Sequence, residues 1–102
     1  MDKMKVVKLK KPLMVDGQEV KELPYDFDSM TAGSVLSVAR DMAAAGFARM
    51  TVSEYDSDYH FFLFAKAVEV ATGGKISTPD VLRISAADTV NCSALARDFF
   101  FL

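Results

Sequence analysis

The sequence predicts an α+β domain in which an N-terminal β-hairpin packs on three or four α-helices. Three observations carry this. Asp16-Gly17 stands between two extended runs, KVVKLKKPLMV and QEVKELPY, and both residues tolerate the positive φ that a two-residue turn demands. After Phe27 the apolar spacing changes from the strand's period to the helix's three and four. The chain has 102 residues, 51% hydrophobic and 25% charged, enough for one core but with little left over for a deep cleft. A single domain over 1–102 follows, with a hairpin region at 1–28 and a helical region at 29–102.

Uninterrupted pairing about Asp16-Gly17 sets Leu13 opposite Val20 and Lys11 opposite Glu22, with Val7, Leu9, Leu13 and Val20 on one face. The same register sets Leu23 opposite Lys10 and Tyr25 opposite Lys8, on the other face. Either the second strand carries a bulge, or the hairpin is apolar on both sides near its open end. Pro12 and Pro24 lack a ladder donor, so each strand is short there or has an unpaired edge.

From Thr31 to Ala45 a helical wheel centred on Val35 gathers Ala32, Leu36, Val38, Ala39, Met42 and Ala43, with Ser37, Arg40 and Asp41 opposite. Asp28, Ser29 or Thr31 caps its start, and Gly46 ends it. An irregular connection leads to a second helix, DYHFFLFAKAVEVATG, with Asp56 or Ser57 as cap and Gly73 and Gly74 as its close. Its wheel is apolar almost all round. The row Phe62, Lys66, Glu69 is its one solvent stripe, so Phe62 either contacts another chain or is covered within the fold by the hairpin or a neighbouring helix. Thr78-Pro79-Asp80 opens a short helix with Pro at the first helical position. Ser85-Ala86-Ala87-Asp88 reads as a capping box with Asp in place of Glu, opening a last helix on which Cys92, Leu95, Phe99 and Leu102 share a face. Phe100 and Phe101 stand off that stripe. With Phe62 they are the candidate protein-contact residues.

Residues that carry chemistry are scarce. Twelve Lys+Arg against 14 Asp+Glu give a formal charge of -2, too near neutral to attract nucleic acid or a membrane surface over distance. The longest apolar stretch, Phe61 to Ala65, falls far short of the roughly 20 residues that cross a bilayer. With Cys92 as the one cysteine and no signal-peptide pattern, the chain is expected in the cytoplasm, without a disulfide or a thiolate metal cage. The run ATGGKIST resembles a phosphate loop, but Glu69 and Ile76 stand where that motif needs Gly and Ser or Thr, so it reads as a helix end and a turn. Glu54, Asp56, Asp58 and His60 alternate like metal ligands along a strand, but a helix starting among them splays them apart. His60 and Cys92 form the only formal nucleophile pair, and Cys92 falls on a buried stripe that disfavours its thiolate. No catalytic, metal or cofactor site is expected. Lys3, Lys5, Lys8, Lys10 and Lys11 read as a solvated edge that guards the sheet; the sharper reading, nucleic-acid binding, lacks the accompanying arginines and aromatics.

The run VVKLKKPLMVDGQEVKEL, followed by an acidic and apolar helical remainder ending in FFFL, resembles the small tail assembly chaperones of long-tailed bacteriophages and prophages. The matching residues are Val15, Asp16, Gly17, Val20 and Leu23; Pro24-Tyr25-Asp26 departs from the apolar-basic strand end frequent in those relatives. The resemblance implies a non-enzymatic protein of the bacterial host cytoplasm that binds the tape measure protein, with the tail tube protein as a second partner to test, while the tube polymerises. It also implies that Phe99-Phe100-Phe101 is a place where a slippery uridine run in the gene would produce a longer, frameshifted form. A rival reading from another class is an adaptor or regulatory domain that self-associates through its apolar helix, and a homo-oligomer is compatible with either.

Overall fold

The computed structural model describes residues 5–46 and 57–101. Strands β1 (Lys5–Val15) and β2 (Gln18–Tyr25) pair antiparallel as a two-stranded sheet. Asp16 at φ 51° and Gly17 at φ 79° both turn left-handed, as the two-residue hairpin turn with the strands' own twist requires. Near this turn the register is the expected one, with Leu13 facing Val20. At the root it is not: Val7 faces Leu23, Lys5 faces Tyr25, and Leu9 to Pro12 are left against Lys21 alone. The irregularity therefore lies on the first strand, where the sequence suggested the second. Its odd offset exchanges the partners, so Leu23 meets Val7 and not Lys10.

The cause is visible in the hydrogen bonds. Pro12 offers no donor, and the Lys10 and Lys11 N–H groups donate to the Asp88 carboxylate at 2.8 and 3.2 Å. Asp88 also accepts from the Ser85 hydroxyl, whose oxygen in turn accepts from the Asp88 N–H. The expected box is thus half made, with the Asp88 carboxylate turned outward to hold the bulge of β1.

Helix α1 (Ala32–Ala44) starts from Thr31, which exchanges bonds reciprocally with Ser34. Helices α2 (Ser57–Thr72), α3 (Thr78–Val81) and α4 (Ala86–Phe101) follow. The connection before α2, with Glu54 and Asp56, lies outside the described residues. One turn suffices for α3: Asp80 accepts from both the N–H and the hydroxyl of Ser77, and Pro79 is its second residue, one place later than expected. Helix α2 is central and touches β2, α1, α3 and α4.

One core joins all these elements. Leu23, Val38, Met42, Phe64, Val68, Val81, Cys92 and Ala96 are fully buried in it, each large side chain contributing about 1.5–3 kcal/mol of transfer free energy. The core face of α1 differs from its predicted wheel. Val38 and Met42 are buried, but Leu36 is 74% exposed and Ala39 and Ala43 face solvent. Asp41, expected outside, meets Lys66 of α2 at 2.9 Å, and a helix turned to make that ion pair carries Leu36 away from the core.

Candidate interaction surface

The three candidate phenylalanines have different surroundings. Phe62 is 2% exposed and packs at 6.3 Å, edge to face, against Phe61. It offers no surface to another chain, because the row it shares with Lys66 and Glu69 turns inward. Lys66 lies between Asp41 at 2.9 Å and Glu69 at 2.8 Å, and the second Glu69 oxygen accepts the Thr78 N–H at 2.7 Å. Three helices are tied at one charged junction. Burial works against the Lys66 ammonium, but hydrogen bonds to Glu69 and Asp41 outweigh it and hold its pKa above the usual lysine value. Burial likewise raises the Glu69 carboxyl, and the bonds from Lys66 and Thr78 bring it below the usual glutamate value.

The C-terminal end of α4 is where aromatic surface emerges. The core stripe of α4 runs Asp88, Cys92, Ala96, with Phe100 half-buried beyond it. This corrects the predicted stripe: Phe99, expected inside, is 43% exposed. Phe27, reaching from the end of the hairpin, decides the arrangement. Its ring stacks on Phe99 at 4.9 Å and meets Phe100 edge to face at 5.4 Å. The Phe99 and Phe100 rings are themselves 5.0 Å apart, and Tyr25 and Phe64 extend the cluster inward. Phe101 belongs to the last turn of α4, and its side chain lies outside the described residues. A stripe read at spacing four from Asp88 would have found Phe100; Ala96, small and fully buried, is a weak signal among larger residues.

Groups with chemical potential are committed to the fold. Burial, with the neighbouring Asp88 charge, pushes the Cys92 thiol up to about 12, so it stays protonated at neutral pH. His60 is 5% exposed while Asp58 is exposed, so these two do not share a face; Glu54 and Asp56 lie outside the described residues. Among the described residues no three His, Cys, Asp or Glu gather as a metal site. For Asp88, burial raises the pKa, but bonds from Lys10, Ser85 and Lys11 outweigh it and leave the carboxyl below the usual aspartate value. In the glycine turn, Gly73, Gly74 and Lys75 donate their N–H groups to Val70, Glu69 and Thr72 carbonyls, and Ile76 donates to the Thr72 hydroxyl. Every amide that would cradle a phosphate is thereby occupied, and Gly73 and Gly74 at φ 63° and 91° close α2 as expected. Lys5, Lys8, Lys10 and Lys11 are exposed, with Lys8 across the sheet from Glu22; Lys3 lies outside the described residues. No helix among the described residues is long and apolar enough to cross a membrane. Comparison of the chain with protein-family models, curated proteins and solved structures finds no match.

Proposed function

We propose that this chain is a non-enzymatic assembly chaperone of the small tail-assembly kind made by long-tailed phages and prophages, acting in the host cytoplasm on the tape measure protein as the tail tube forms. The observation that carries the reading is the aromatic end of α4, where Phe99 stands 43% exposed on the Phe27 and Phe100 rings. An exposed aromatic on a rigid base suits the covering of apolar surface on a long helical client. The VDG hairpin followed by helices supports the same reading. The rival adaptor, self-associating through its apolar helix, is not favoured, because α2 is enclosed by β2, α1, α3 and α4 of its own chain.

The test is co-expression with fragments of a tape measure protein encoded beside this chain's gene. The native chain should retain and solubilise a fragment, and Phe99→Asp should lose it while melting within a few degrees of the native protein. Failure of every fragment to be retained overturns the proposal. Phe62→Ala is unsuitable as a probe of binding, since emptying that buried site costs about 3–5 kcal/mol of folding free energy.

A further inference from the structure

We propose that the outer edge of β2 is a self-pairing edge, on which two copies of this chain join their sheets antiparallel about Val20. A two-stranded sheet has two edges, and the helices occupy one. On β1, Asp88 holds the Lys10 and Lys11 N–H groups, Pro12 has none, and the Arg83 guanidinium donates to the Met14 carbonyl at 2.8 Å. On β2, α2 closes only the far end, where the Asp26 N–H donates to the Ala67 carbonyl at 3.2 Å. The stretch from Gln18 to Glu22 is exposed but for half-buried Val20, and among the described residues it is the open part of the sheet's edge.

The turn fixes which backbone groups point outward. Val15 and Gln18 flank the two-residue loop and bond to each other, so Leu13 and Val20 do too, and the residues between them point away. Met14, whose carbonyl is taken by Arg83 from outside, confirms the alternation on β1. On β2 the outward residues are Glu19 and Lys21. Their side chains lie on one face, 3.9 Å apart and exposed.

Antiparallel pairing of outward residues with a second copy allows three registers on this stretch. One sets Glu19 against Glu19 and another Lys21 against Lys21, each placing like charges directly opposite. The third, centred on Val20, sets each Glu19 against the other copy's Lys21, twice by symmetry, and brings the two Val20 side chains together. Charge selects this register, and a closed twofold pair leaves no unused edge to propagate.

Sedimentation velocity of the full chain across a wide concentration range tests this. The native chain should show a concentration-dependent dimer. Glu19→Lys and Lys21→Glu, both at exposed positions, should each weaken it about tenfold without changing the melting curve. An equimolar mixture of the two variants should dimerise again, since every facing pair then joins a copy bearing two cations to one bearing two anions. A chain that stays monomeric, leaving the edge to a strand of some other protein, overturns the proposal. So do single variants that dimerise as tightly as the native chain, or a mixture no tighter than its parts.

Discussion

Asp88 and Lys66 both set a charge against the core, but their partners differ in kind. Asp88, 3% exposed, accepts two backbone N–H groups of β1 and one hydroxyl. Both amides belong to the irregular stretch of the first strand. Lys66 sits between two carboxylates, Asp41 and Glu69, on different helices, and either can hold the ammonium when the other is removed. At the first junction one carboxylate serves both amides. The second is redundant, and redundancy lowers the cost of losing any one carboxylate.

The sharpest way to break this contrast is Asp88→Ala, which takes the carboxylate from two part-buried amides and should destabilise the fold by about 2 kcal/mol in urea titration. A loss below about 1 kcal/mol would mean that the bulge finds other partners. Lys66→Met should cost a similar amount, about 2 kcal/mol, because it leaves Asp41 and Glu69 facing each other without their cation. Asp41→Asn should cost only about 0.5 kcal/mol, since Glu69 remains. Equal losses for these two variants would end the claim of redundancy.

Acid sharpens the same comparison. The Asp88 and Glu69 carboxyls both titrate lower in the folded chain than their ordinary values of 3.8 and 4.5. Their contribution is complete above those unfolded-state values and is lost as pH falls through the lower folded ones. Stability measured by thermal melting should therefore decline below about pH 4, and Asp88→Asn should flatten that decline. Lys66, held above the ordinary lysine value, keeps its contribution until strongly alkaline pH. The smallest effects belong to Leu36→Lys and Val90→Lys. These side chains are 74% and 73% exposed, and each change should shift stability by less than about 0.5 kcal/mol.

The elements themselves were legible in the sequence. Asp16-Gly17 announced the hairpin, Thr31 and Ser85 announced helix starts, and Gly73-Gly74 announced the end of α2, because each acts through its own neighbours. The register was not legible. It is set by Asp88, which no local pattern connects to Lys10. The face of α1 was misjudged for a similar reason, since the wheel treated Asp41 as a solvent group while its partner Lys66 lay on another helix. At the end of α4 the sequence places Phe99 inside, where the structure leaves it 43% exposed, because Phe99 and Phe100 are ordered by Phe27, which is far from both in sequence. The sequence leaves Phe62 two readings, and the enclosure of α2 by four elements supports the covered one.

The bond from Lys10 to Asp88 spans 78 residues of chain. A hairpin is ordinarily the most local of β structures, closing within microseconds of its turn. Here only the end beside Asp16-Gly17 can close that way. The bulge between the tip and the root, where Val7 meets Leu23, is held from α4, so the expectation is that the first strand is completed only once α4 packs. Amide exchange should show it: the Lys10 and Lys11 N–H groups should open together with the first turns of α4 and not with the tip of their own ribbon.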